Sequence, residues 1–323
     1  MNPKKRYNDF NSYLKSLFGC RVQKITIDAG MDCPNRDGTL SFGGCVFCNE
    51  KGSGTGAHNQ GLSVTRQIEA GKEALGRRYK AEKFISYFQA HTNTYAPIEH
   101  LAALYEESLA VPGVVGLSIG TRPDCVSPEI IDLLSSYARN HLVWIEYGLQ
   151  SARDETLARI NRGHDFRAFE NAVAMTAERS RRKIHICAHV ILGLPGENHS
   201  HMMETAEKLA ATEIDGVKIH LLYVVKNTPL AVWYEKGIFR CMTREHYADT
   251  VCAFLARLPA DVVIQRLTGD PRPDELIAPA WAIGKTETLK RIQAVMEEKD
   301  ICQGDARKIS PGHAPKRDIL HSR

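Results

Sequence analysis

Three cysteines fall within 16 residues in the run Asp32-Cys33-Pro-Asn-Arg-Asp-Gly-Thr-Leu-Ser-Phe-Gly-Gly-Cys45-Val-Phe-Cys48. Thiolates bind zinc or iron–sulfur clusters, and the number of ligands separates the two. A structural zinc ion wants a fourth ligand nearby. His58 is the one local candidate, and its place ten residues beyond Cys48 fits no common finger spacing. Three thiolates without a fourth suit a 4Fe–4S cluster whose last iron is left open for a substrate or cofactor. Gly38, Gly43 and Gly44 let the loop fold back around something compact. Cys20, Cys125, Cys187, Cys241, Cys252 and Cys302 show no Cys-x2-Cys spacing. They read as small buried hydrophobes rather than as ligands of a second cluster, with Cys125, next to Asp124, a candidate hydrogen-atom donor.

The elements that must hold this loop are strands alternating with helices. Strand-forming runs occur at Val22–Asp28, Phe84–Gln89, Val114–Gly120, Leu142–Leu149, Lys183–Leu192, Gly216–Tyr223 and Asp261–Leu267. Their separation is that of βα units, not hairpins. Pro97 and Pro128 sit where first helical turns start, and Ser127 is a ready N-cap. On the fifth run Ile184, Ile186, Ala188, Val190 and Leu192 oppose His185, Cys187, His189 and Ile191. On the sixth, Val217, Ile219 and Leu221 oppose Lys218 and His220, and on the fourth, Val143, Ile145, Tyr147 and Leu149 oppose Trp144, Glu146, Gly148 and Gln150. A parallel sheet covered on both faces is apolar on both, and a closed eight-stranded barrel fills itself with branched apolar side chains. One apolar and one polar face imply an incomplete, wider barrel with a polar lumen that holds a large ligand.

Among the lumen candidates, His220 reads as functional, and His185 and His189 as core histidines satisfied by neighbours. Lys218 needs an anionic partner because unpaired burial is expensive. Arg122 and Asp124 follow the third strand at the mouth, as substrate contacts or as a mutual salt bridge. Beyond Leu267, Asp270-Pro-Arg-Pro-Asp274 breaks the chain. A helix over 285–299, with Leu289, Ile292 and Met296 on one face, is expected to pack across the open side or the bottom of the barrel.

Composition narrows the class. With 323 residues, 43% of them hydrophobic and 25% charged, the chain is neither disordered nor a membrane protein by composition. No apolar stretch approaches the ~20 residues of a bilayer span, and no signal-peptide pattern opens the chain. Both point to the cytoplasm, where nine cysteines stay reduced. Residues 1–24 carry a net +5 and the last 21 a net +3, leaving −4 between them. Such basic ends are solvated tails or help hold a polyanion. The expected organisation is a basic segment over 1–21, a barrel over 22–267, a helical extension over 268–302 and a basic flexible tail over 303–323.

The cysteine loop resembles that of radical S-adenosylmethionine (SAM) enzymes, whose usual spacing is Cys-x3-Cys-x-aromatic-Cys. Here the first gap is x11, while the Cys45-Val-Phe47-Cys48 half matches. Across nearly its whole length the chain resembles the YhcC-type radical SAM proteins, through Cys33-Pro-Asn-Arg-Asp-Gly38, Tyr87-Phe-Gln-Ala90, Gly120-Thr-Arg-Pro-Asp124, Glu146-Tyr-Gly-Leu-Gln-Ser151, Ile160-Asn-Arg-Gly-His-Asp165 and Gly193-Leu-Pro-Gly-Glu197. Several of these stretches also resemble the radical SAM half of the Elongator catalytic subunit, a tRNA wobble-uridine modifier.

The resemblance implies an α/β fold, a partial (β/α)6 barrel with a short C-terminal extension. It implies that Cys33, Cys45 and Cys48 hold three irons of a 4Fe–4S cluster and that SAM chelates the fourth. An electron from a flavodoxin- or ferredoxin-type reductant then yields a 5′-deoxyadenosyl radical. Phe47 would lie against adenine and Gln89 would contact the methionyl amino group. Glu146 and Gln150 would reach the ribose hydroxyls or the methionyl group, and Ile191 with the Gly193-Leu-Pro-Gly loop would flank adenine. Arg122, Asp124, Lys218 and His220 remain for the substrate, with a SAM carboxylate, a substrate carboxylate or Glu146 as the partner of Lys218. The implied substrate is tRNA. A protein or small-molecule substrate, and a non-catalytic iron–sulfur or zinc protein, are the alternatives.

Overall fold

The computed structural model describes residues 5–52 and 54–307. All seven strand-forming runs become strands whose ends lie within two residues of those expected; the third and fourth run one residue further, the second is shifted back by one, and the others are shorter. They are β1 (Val22–Ile27), β2 (Lys83–Phe88), β3 (Val114–Thr121), β4 (Leu142–Gln150), β5 (His185–Leu192), β6 (Gly216–Leu221) and, after the two-residue β7 (Val224–Val225), β8 (Val263–Arg266). The sheet is parallel, in the order β1-β2-β3-β4-β5-β6-β8. A separate antiparallel ribbon joins β7 to β9 (Leu276–Ala278). The helices are α1 (Phe10–Phe18), α2 (Val64–Tyr79), α3 (Ile98–Leu109), α4 (Pro128–Tyr137), α5 (Asp154–Arg159), α6 (Phe166–Arg179), α7 (His199–Ala211), α8 (Pro229–Glu235), α9 (Arg244–Arg257) and α10 (Lys285–Glu298). Ser127 caps α4 with Pro128 in its first turn, whereas Pro97 is itself the cap of α3, one residue earlier than expected.

The two faces of the curled sheet differ in what they pack against. Ile184 just before β5 and Ile186, Ala188, Val190 and Leu192 on it join Val217, Ile219 and Leu221 of β6 and Val143, Ile145, Tyr147 and Leu149 of β4 in one core with the surrounding helices. The opposite face turns inward. There Lys24 of β1 donates to Gln265 of β8 at 2.6 Å, so the two edge strands approach across the lumen without pairing.

The chain's first described stretch closes the base of this half-barrel. Asp9 forms a parallel bridge to Ile264, and α1 sets Phe10 and Tyr13 edge-on against Trp144, whose ring stacks on His185 at 4.9 Å. Gly216 makes room for that indole, since a Cβ there would meet it at 2.8 Å. The basic N-terminal segment is therefore tied to the end of the barrel opposite the mouth, with Lys5 paired to Asp9 and Arg6 to Asp300.

The C-terminal region departs from expectation in two ways. First, α10 packs on α9, outside the sheet, with Ile292, Val295 and Met296 buried and Leu289 exposed. The true stripe is shifted by one helix position, and it is residues of 270–278, the stretch that carries β9, that line the mouth and bond the cysteine loop, Arg272 at the Gly54 carbonyl and Glu275 at Asn49. Second, Gln303 is buried and bonds Asn8, Pro259 and Val262, so an ordered anchor stands where the tail was expected to begin. The rest of that expected tail, 308–323, lies outside the described residues.

Candidate active site

Every strand of the sheet ends at the same mouth, and the cysteine loop leaves β1 there. Asp28 starts the loop by accepting from the backbone N–H groups of Gly30 and Gly56, while Gln67 of α2 bonds both backbone groups of Asp28. Cys33 and Cys45 are buried and Cys48 is half-buried. The stretch after α5 braces the loop from the other side. Ile160 accepts from the Val46 N–H at 3.0 Å, and Asn161 donates to the Gly44 carbonyl at 2.9 Å. Asn35 and Arg162 both donate to Cys45 Sγ, at 3.7 and 3.5 Å. Arg162 reaches it across Gly148, whose carbonyl takes the Nε bond at 3.1 Å; a Cβ on Gly148 would meet the guanidinium at 2.7 Å. These bracing residues escaped the sequence reading as site residues, although Ile160-Asn-Arg-Gly-His-Asp165 had stood out as a motif.

A cavity of about 410 Å³ opens beside Cys48. The structure brings Phe47, Gln89, Gln150, Ile191 and His220 together on its walls. Gln150 gets there through a register shift after Gly148, which leaves it at φ 80°. His189, expected to be a satisfied core residue, lines this cavity as well, together with Arg266 and Tyr223. The Gly193-Leu-Pro-Gly196 loop does not reach it and borders a separate groove of about 510 Å³ with Trp233 and Arg240.

Glu146 and Lys218 lie deeper. Glu146 is fully buried and accepts at both oxygens: from Lys24 and Ser118 at Oε1, and from His189 and Lys218, each at 2.6 Å, at Oε2. Its acceptor sites are filled by the protein, so a contact to ribose or to the methionyl group would have to displace one of these donors. Of the partners considered for Lys218, Glu146 is the one realised, with the Tyr87 hydroxyl at 2.8 Å. Burial opposes the charge on Glu146, but Lys218 and Lys24 overcome it and hold its pKa well below the carboxylate range. Burial pulls Lys218 down to about 8 against that same carboxylate. Burial and then Lys218 lower His189 to about 4, so its ring is neutral at pH 7. Lys24 was counted among the basic residues of the N-terminus, yet the alternation of Lys24 and Thr26 against Ile25 and Ile27 already marked it as a lumen residue.

Arg122 and Asp124 form a bidentate pair, at 2.9 and 2.7 Å, outside the cavity. The salt-bridge reading is thus realised. Arg122 is nonetheless buried, among the described residues its Nη1 has no hydrogen-bond partner, and Cys33 is among the groups that hold it charged.

These residues fit an iron–sulfur cluster better than zinc. A tetrahedral zinc ion, with Zn–S bonds of about 2.3 Å, needs its sulfurs within about 4 Å of one another. Among the described residues the three cysteines do not form a group with donor atoms within 4.8 Å; the one such group is Glu146, Cys187 and His189, where two ammonium groups already hold the carboxylate. Burial and repulsion from Cys45 push the Cys48 thiol up to about 12, with Arg36 and Arg162 acting the other way. An iron–sulfur cluster held by Cys33, Cys45 and Cys48 would remove that penalty, and the charged, unpaired Arg122 Nη1 beside Cys33 would favour an anionic group there.

Comparison with known proteins decides the class. The family model described as "Radical SAM superfamily" matches residues 38–209, and that of the radical SAM C-terminal domain matches 214–298. The chain belongs to the radical SAM superfamily. It is 40% identical to "Uncharacterized protein YtqA" of Bacillus subtilis over 94% of this chain and 93% of that one. It is 35% identical to "Protein YhcC" of Escherichia coli, over 95% and 97%. Elongator complex protein 3 of Saccharomyces cerevisiae is 26% identical over 53% of this chain, which spans 30% of that protein's length. In fold, the chain resembles the structure of the archaeal Methanocaldococcus infernus Elp3, with a TM-score of 0.64 at 17% identity over 87% of this chain and 64% of that one. A radical SAM protein uses a 4Fe–4S cluster and SAM. Here Cys33, Cys45 and Cys48 would hold the first, and the cavity beside Cys48 would receive the second. Among the described residues no helix is long and apolar enough to cross a membrane.

Proposed function

We propose that this radical SAM enzyme alters a substituent of a tRNA wobble uridine. The observation that carries the reading is the similarity to Elongator complex protein 3 over 176 residues, since the Elongator catalytic subunit is a wobble-uridine modifier. The site is compatible with it. When bound, the cluster and SAM supply one-electron cleavage of a sulfur–carbon bond and a 5′-deoxyadenosyl radical that takes hydrogen from the substrate. The protein's part is position and exclusion of water. Phe47 and Ile191 offer apolar walls for adenine, Gln89 and Gln150 offer hydrogen bonds to the polar groups of SAM, and Asn35 and Arg162 donate hydrogen bonds to Cys45 Sγ. Arg122, paired with Asp124, brings a positive charge beside Cys33. The electron comes from a flavodoxin- or ferredoxin-type partner.

The test is anaerobic reconstitution with reductant and SAM, and quantification of 5′-deoxyadenosine with and without bulk tRNA that lacks the modification. Stimulation by tRNA, lost in Cys45→Ala, is the expected result. Cysteine-dependent cleavage indifferent to tRNA would move the substrate to a protein or small molecule.

A further inference from the structure

Positive charge without a counter-charge collects on the β6–β8 side of the cavity floor. Lys24 and Lys218 share the single carboxylate of Glu146, and Arg266 stands beside Lys218 in the β6–β8 register. Arg266 donates its Nε to the Thr268 carbonyl at 2.6 Å, and among the described residues no carboxylate lies within 4 Å of its guanidinium. The carboxylates at the rim are already taken: Asp270 pairs with Lys285 at 2.9 Å, and Glu275 with Lys51 and Arg272. Three cations therefore face one carboxylate. His189 and His220 do not change that balance, because burial holds both rings neutral at pH 7.

A partly buried cation without a partner is costly, and a guanidinium offers its remaining N–H groups as a planar fork matched to carboxylate or phosphate. His220 and Tyr223 line the same cavity as Arg266 and add donors from rings that are held in place by the strand and by Gly269, over which Tyr223 packs.

We propose that Arg266, flanked by His220 and Tyr223, is the recognition point for an anionic group, a carboxylate or phosphate, on the molecule that enters this cavity. The inference rests on the cavity being the reaction chamber of the proposed function. Two sources share the chemistry: the substrate's own anion and the methionyl carboxylate of SAM.

The test uses the full chain with 13C-labelled histidine rings and needs neither cluster nor SAM. Inorganic phosphate and acetate are titrated at constant ionic strength, and His220 is assigned with His220→Gln. A saturable shift of the His220 resonance is expected in the wild type, weaker in Arg266→Lys and absent in Arg266→Gln. No shift with either anion, or an equal shift in Arg266→Gln, overturns the subsite. If Arg266→Gln is poorly folded, the comparison of wild type with Arg266→Lys decides, since loss of the fork with the charge kept must still weaken the response. A second arm assigns the source, by equilibrium dialysis of SAM against the cluster-loaded protein. A tenfold or greater loss of SAM affinity in Arg266→Gln supports the subsite with the methionyl carboxylate as its anion. Unchanged SAM affinity with a lost phosphate response supports it with the substrate's anion. Failure of tRNA to stimulate SAM cleavage would overturn the tRNA reading and leave the phosphate titration standing.

Discussion

Glu146 at the base of the lumen collects four donors, from Lys24, Ser118, His189 and Lys218. At the mouth, Arg122 keeps a buried Nη1 without an acceptor among the described residues, and Cys45 Sγ receives two donors, Asn35 from its own loop and Arg162 from the stretch after α5. Both regions are polar and buried, and they use similar residue types. The base is closed: Trp144, His185, Phe10 and Tyr13 seal it with stacked and edge-on rings. The mouth is built with hydrogen-bonding capacity left over. The Glu146 carboxylate is matched at both oxygens and so specifies structure, whereas Arg122 at the mouth keeps a charged donor to offer; the unpaired donors toward the base, Trp144 Nε1 and Gln265 Nε2, are neutral.

Four experiments press on that contrast. The largest effect is expected from Cys45→Ala, which removes a proposed cluster ligand at the mouth. SAM cleavage should fall by more than about 100-fold, beyond the range typical of outer-shell losses, while the urea midpoint stays near the wild type. A collapse of the fold would mean that the loop is structural and would favour the non-catalytic alternative. Glu146→Gln should do the reverse and act on stability. It strands Lys24 and Lys218 in the lumen, and breaking a buried pair costs about 3–5 kcal/mol, measurable by urea unfolding. A variant as stable as the wild type would show that the base is wetter than its burial indicates.

The third effect is a pH dependence. Folded His189 resists protonation down to about 4, whereas the unfolded ring takes up its proton near the ordinary value of about 6.5. The unfolded state binds more protons in that window, so stability falls as pH drops from about 6.5 to about 4. His189→Gln should flatten this loss by up to about 3 kcal/mol, in urea midpoints followed across pH. His164, lowered to about 4 by burial and Arg162, retains part of the slope. The smallest change is expected from Arg162→Gln. Loss of a donor to Cys45 should slow SAM cleavage about 10- to 100-fold with iron content retained. An unchanged rate would mean that Asn35 alone tunes that thiolate.

Local chemistry was the most legible part. Cys33, Cys45 and Cys48 stood out because their spacing lies within one loop, and the lumen faces of β4, β5 and β6 stood out because strand side chains alternate with period two. The same rule applied to β1 exposes Lys24, whose location in a basic stretch hid it. Arg266 was harder to see, since β8 is four residues long and too short for a pattern. Nothing in the run around Phe10 foretells that α1 plugs the base, because its partners Trp144 and His185 are more than a hundred residues away. The α10 stripe was misplaced for a related reason: an amphipathic face tells that a helix is buried and not against what.

The order of strands and helices, the polar interior and the cysteine loop follow from the sequence by itself, because periodicity and spacing are properties of neighbouring residues. Which charges pair, and which stay unpaired, was decided by the curl of the sheet. Lys24 reaches Glu146 and Gln265 only because β1 and β8 swing toward each other across the lumen. The curl also leaves Arg266 facing the cavity while Glu146 is taken by others. Coulomb interactions depend on distance in space, and that distance is set by the fold, not by position along the chain.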